Sequence, residues 1–146
     1  MSTVFASPSN LSPWQSALGL EPGGTLGLID QVEQGLEAES FARFADATAL
    51  SRDELAQVTG VSRRTVERRK EKGEPLDAVL SERLVRLADL YALAERVLGS
   101  GAAAKTWMRG PRHLFGGKTP LEMTATGIGA DEVRKLLLRT EHGVFS

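Results

Sequence analysis

The sequence contains no cysteine, which excludes disulfides and cysteine-ligated zinc and agrees with a reducing compartment. Its two histidines, His113 and His142, stand far apart without a second histidine or a carboxylate at ligand spacing, so no metal site is expected. Aromatic residues make up only 5% of the chain, too few for the stacking platforms that grip single-stranded RNA. No apolar run approaches the roughly 20 residues of a membrane span, and the N-terminus lacks the charged-then-apolar pattern of a signal peptide. A cytoplasmic protein without membrane contact is the expectation. No segment alternates with period two over a strand's length, so the chain reads as all-α.

The chain has 146 residues, of which 41% are hydrophobic and 25% charged, enough for one compact core or two small helical subdomains. A net charge of −1 conceals a strong asymmetry. Residues 1–61 carry 8 acidic and 2 basic side chains, whereas residues 62–146 carry 16 basic and 11 acidic ones. A local positive face matters more for nucleic-acid binding than the overall balance.

Three segments are expected. Residues 1–25 are rich in Ser, Pro and Gly and read as a flexible N-terminal arm, although Trp14 with Leu11, Leu18 and Leu20 could dock on a partner. Residues 26–99 read as a helical domain. Leu28, Ile29 and Val32 form one helix face before a stop at Gly35, and Phe41, Phe44 and Ala45 continue in a second helix. A long amphipathic helix follows the Gly73-Glu74-Pro75 break, with leucines at helical spacing from Leu80 to Leu98. Residues 100–146 form a glycine-punctuated third segment: a short helix with Trp107, a Gly-Pro turn, and a helix opened by Thr119-Pro120 that Gly127 and Gly129 would end. A last helix carries Val133, Leu136 and Leu137. Trp107 and Phe115 are expected in the core.

The most specific pattern lies at about residues 51–72. Ser51 with Glu54 three residues on is a capping-box arrangement. Leu55 and Ala56, then Gly60, then Val61 and Val66 meet the demands of a helix-turn-helix: a small residue where the helices cross, a permissive turn, and an apolar lock. With the valines inward, Arg63, Arg64, Glu67, Arg68 and Glu71 face outward, and Arg64 and Arg68 share one face. Arginines so placed can pair with guanine edges in the major groove. Six Lys/Arg against two Glu between Arg63 and Lys72 supply an attraction for phosphate, with Ser62 and Thr65 suited to phosphate contact at the helix N-terminus. The candidate DNA-binding set is therefore Ser62, Arg63, Arg64, Thr65, Glu67, Arg68 and Arg69, acting on double-stranded DNA.

Gly116-Gly117-Lys118-Thr119 does not make a phosphate loop, since Arg112 stands where that loop needs its first glycine and Pro120 follows at once. No catalytic constellation is evident, so neither an enzyme nor a cofactor is expected.

The run Ser62-Arg63-Arg64-Thr65-Val66-Glu67-Arg68-Arg69, then Gly73, then Ser81-Glu82-Arg83-Leu84-Val85-Arg86-Leu87 resembles the Xre/MbcA/ParS antitoxin family. The resemblance continues through Ala104, Trp107, the Leu114-to-Glu122 stretch, Thr126-Gly127, Val133 to Leu137, and His142-Gly143-Val144, and so covers about residues 28–145. The chain departs from the family at His142, where tyrosine is frequent, and at Met108-Arg109. The resemblance implies an antitoxin that neutralises a RES-domain, NAD-consuming toxin through a C-terminal toxin-binding and dimerisation domain, and represses its own operon as a dimer or larger assembly. It makes Arg134, Arg139, His142, Gly143, Val144 and Phe145 the candidate toxin-binding set. An apolar tail at Val144-Phe145 either inserts into a partner or docks on its own core, and Arg134 and Arg139 either meet toxin carboxylates or lie in solvent. A stand-alone helix-turn-helix repressor is the alternative.

Overall fold

The computed structural model describes residues 11–143. Among these, every regular element is a helix: α1 Pro13–Ala17, α2 Gly24–Gln34, α3 Glu39–Thr48, α4 Arg52–Thr59, α5 Arg63–Lys72, α6 Ala78–Leu98, α7 Gly101–Met108, a 3₁₀ turn at His113–Phe115, α8 Pro120–Met123 and α9 Gly127–Glu141. No helix among the described residues is long and apolar enough to cross a membrane.

The helix starts follow from their capping residues. Ser51 and Thr119 each accept a bond from the backbone N–H three residues on, while the Glu54 and Glu122 carboxylates accept the backbone N–H of the cap residue. Ser62, Ser100 and Thr126 cap α5, α7 and α9 through the side chain. Each such cap stabilises its helix by about 1 kcal/mol.

The chain divides into two compact units, Met1–Asp89 and Leu90–Ser146. The division falls inside α6 rather than at the Gly99 break, because this 21-residue helix is continuous and buries side chains on both sides of it.

In the first unit, the expected flexible arm is corrected for residues 11–25. Ser12 caps α1 in a reciprocal capping box with Gln15, and Pro13 takes the first helical position. Trp14 and Leu18, four apart on α1, are buried, as is Leu20, and α1 packs against α3. Arg43 on α3 secures the junction by donating from Nε to the Ala17 carbonyl at 3.0 Å. Trp14 is thus a core residue of this chain. Residues 1–10 of the expected arm lie outside the described residues.

The remaining core of this unit gathers Phe41, Phe44, Leu55, Leu76, Leu80 and Leu84. By contrast, α2 buries no residue. Its expected apolar face is only partly covered: Leu28 and Val32 are half-buried, and Ile29 is 47% exposed. Two long-range ties brace the frame: the Leu36 backbone N–H donates to Ser81 Oγ at 2.9 Å, and the Leu76 N–H to the Leu36 carbonyl at 2.8 Å.

In the second unit, α7 packs against α8 and α8 against α9. Leu90, Tyr91, Leu93, Ala94, Ala104, Met108, Leu121, Val133 and Leu137 are buried. Trp107 and Phe115, expected in the core, are only half-buried. The inward positions of α7 go to Ala104 and Met108, which lie four apart on one face and are fully enclosed.

Gly127 and Gly129 do not end α8, which stops at Met123; they open α9 behind the Thr126 cap. Gly129 is required by close approach, because a Cβ there would collide with the Met123 carbonyl oxygen. Gly129→Ala should therefore destabilise the protein by about 3 kcal/mol, the upper part of the range for forced overpacking. Chemical denaturation would measure the loss. An unchanged midpoint would show that α8 and α9 yield freely.

Candidate functional site

The first site is built on α4 and α5. Ser51 starts α4, and Leu55 and Ala56 are buried at its centre. Gly60 then takes a left-handed conformation, φ 73°, that an L side chain adopts only at a cost of about 1–2 kcal/mol. The Arg83 guanidinium of α6 donates from Nη1 to the Thr59 carbonyl at 2.7 Å, fixing the end of α4 just before the turn. Val66 is buried and Val61 half-buried, so α5 is anchored by one face and turns the other outward. This is the helix-turn-helix geometry expected from the sequence.

The seven candidate DNA-binding side chains on this unit are not equivalent. Ser62 Oγ accepts the Thr65 backbone N–H at 3.1 Å and lies 2.9 Å from Thr65 Oγ1, so both hydroxyls serve the N-terminal turn of α5. Arg63 lies between two carboxylates, 3.3 Å from Asp53 Oδ1 and 3.5 Å from Glu67 Oε2. Arg69 donates to the Pro75 carbonyl at 2.8 Å and thereby supports the loop after α5. Arg64 and Arg68 are exposed and make no hydrogen bond or ion pair among the described residues. Exposed ion pairs contribute only about 0–1 kcal/mol, so phosphate could draw Arg63 away. Arg64 and Arg68 need no such exchange. The positive charge is concentrated as well: six of the ten basic residues in 1–89 lie on α5, in a stretch whose fourteen acidic residues give it a net charge of −4.

The second site belongs to residues 90–146. Arg96 holds the end of α9 by a two-pronged pair, Nε to Glu141 Oε2 at 2.9 Å and Nη2 to Glu141 Oε1 at 3.2 Å. His142 caps α9 and Gly143 follows at φ 65°, both exposed. Val144 and Phe145 lie outside the described residues. Arg139 is exposed, whereas Arg134 is half-buried, and burial disfavours its charged form and lowers its pKa. Of the described members of the set, Arg139, His142 and Gly143 lie at the C-terminal end of α9, whereas Arg134 lies further back along it. The Arg63–Glu67 pair is an i,i+4 spacing legible on α5, whereas the Arg63–Asp53 and Arg96–Glu141 pairs join different elements and have no local sequence signal.

These features define a helix-turn-helix protein that joins an outward basic helix to a separate small helical unit. Two family models divide the chain in the same way. The antitoxin Xre-like helix-turn-helix domain matches residues 27–89, and the antitoxin Xre/MbcA/ParS C-terminal toxin-binding domain matches residues 93–143. An Antitoxin Xre of Pseudomonas putida is 32% identical over 113 residues, covering 77% of this chain and 70% of that protein. An Antitoxin Xre of Yersinia enterocolitica is 28% identical and covers 88% of each chain. The Prs ADP-ribosylating antitoxin of a Sphingobium species is 25% identical over 81% of this chain and 80% of its own length. The chain belongs to the Xre/MbcA/ParS antitoxin family. It is an antitoxin of a toxin–antitoxin system, with a helix-turn-helix domain and a toxin-binding domain. The stand-alone repressor loses its support, because that alternative gives residues 93–143 no partner.

Proposed function

We propose that this antitoxin neutralises a RES-domain, NAD-consuming toxin through residues 93–143 and represses its own operon by presenting Arg64 and Arg68 to the major groove. The observation that carries the DNA half is the pair of unengaged, exposed arginines on the outer face of α5. The toxin half rests on the match to a toxin-binding domain and on a relative whose name couples antitoxin with ADP-ribosylation, a reaction that draws its group from NAD. A two-fold homodimer would place two copies of α5 in successive major grooves about 34–36 Å apart, matching a near-palindromic operator.

The test is co-expression with the product of the adjacent gene, followed by co-purification and an NAD-consumption assay. The expected result is a stable complex, with NAD loss by the toxin alone and none by the complex. A toxin that leaves NAD untouched would refute the proposed chemistry. Failure to co-purify would refute the partnership itself.

A further inference from the structure

The 90–146 unit has a groove that the site at the end of α9 does not use. Leu98, Ala102, Ala103, Thr106, Trp107, Gly110 and Arg112 line a cavity of about 550 Å³ beside α7. The Arg112 guanidinium lies over the Trp107 ring, 4.8 Å from its centroid, and donates from Nη2 to the Trp107 carbonyl at 3.2 Å. This contact gives the half-buried tryptophan a role that core packing does not. The ring forms one wall, and the cation stacked on it marks the edge.

Two observations indicate what would fill the groove. Arg112 makes no ion pair among the described residues, and its guanidinium's one hydrogen bond engages Nη2, which leaves Nη1 to receive a partner. Moreover, residues 97–121, beyond the Arg96 that Glu141 holds, contain four Lys/Arg and no Asp or Glu. A groove with an aliphatic and aromatic lining, in a stretch with cations and no acid, is complementary to an apolar side chain next to a carboxylate. The whole groove lies within the matched toxin-binding domain. From these observations we infer that the groove is a docking site for a segment of the toxin that carries an apolar anchor beside Asp or Glu. The apolar anchor fills the space along Trp107 and the carboxylate pairs with Arg112. The groove shares no lining residue with the candidate set on α9. The contact rests on the reading of a toxin partner, and it adds a second anchoring point to that interface.

The experiment compares wild-type, Arg112→Glu and Thr106→Glu full-length antitoxins for affinity to the product of the adjacent gene, the toxin of the proposed pair. Operator affinity and thermal melting serve as parallel readouts. Thr106 is exposed on α7, so its substitution sets a carboxylate at the groove without disturbing the core. Both variants should bind toxin at least tenfold more weakly, with operator affinity within twofold of wild type and melting of Thr106→Glu unchanged. Toxin binding within twofold for Thr106→Glu would overturn the groove assignment while leaving the partnership intact. Loss of operator binding instead would make the surface a nucleic-acid contact and also overturn the inference. If the wild-type chain does not bind this toxin at all, the partner reading fails, and the groove assignment fails with it.

Discussion

Replacing Arg64 and Arg68 together with alanine is expected to weaken binding to the operator by about 2–6 kcal/mol, taking roughly 1–3 kcal/mol for each guanine-reading arginine. At about 1.4 kcal/mol per factor of ten, the smallest outcome is a loss of about 30-fold. Both side chains lie on the solvent face of α5 without partners among the described residues, so their removal should leave stability unchanged. Arg63→Ala should weaken binding less, because Arg63 must first leave Asp53 and Glu67. Salt titration separates the roles further. Loss of a phosphate contact reduces the slope of log affinity against log salt by about 1, whereas loss of a base contact leaves the slope and erases a sequence preference. Binding to the DNA upstream of its own reading frame that the double variant matches at every salt concentration would show that α5 does not read the operator.

The second large effect concerns the end of the chain. Removing residues 142–146 is expected to abolish protection of cells against the toxin while the fold persists. The cut leaves Glu141 in place, so the Arg96–Glu141 clamp still holds the last turn of α9. A cut after Arg139 would remove that carboxylate and confuse loss of a contact with fraying of α9. Helical circular dichroism and operator affinity should match wild type, while neutralisation falls to the level of the toxin alone. Full protection by the truncated protein would refute a role for this tail and shift the interface to other parts of residues 93–143.

Much of this architecture was legible in the sequence because helix boundaries are written locally. Ser51 with Glu54, Ser62, Gly60, and Thr119 with Pro120 occupy the roles that their spacing implied. The first helix was obscured by composition, since Pro, Ser and Gly around it suggest a mobile segment. Its signal was the spacing of Trp14 and Leu18, a single helical step ending in two buried side chains. Trp107 was misplaced for the opposite reason. Its size favours burial, yet an eight-residue helix offers few inward positions, and Ala104 with Met108 fills them. The glycines at 127 and 129 read as a stop because glycine weakens helices, whereas their role depends on how near the backbone of Met123 passes. That proximity is a tertiary fact with no local code. The distinction between Arg63 and its neighbours is of the same kind, since Asp53 comes from the preceding helix.

The concentration of cations on α5, within a stretch that is net acidic, also bears on how the protein finds its operator. Duplex DNA repels the rest of that surface, so only encounters that lead with the recognition helix are productive. The two acidic residues that hold Arg63 reduce the helix's own attraction for backbone phosphate. On the proposed operator-reading role, the 1–89 unit would add little nonspecific hold on the chromosome, and its search is expected to proceed more by three-dimensional diffusion than by sliding. Under that proposal, occupancy of the promoter is expected to follow the free antitoxin concentration closely, so that a modest fall in its level restores transcription.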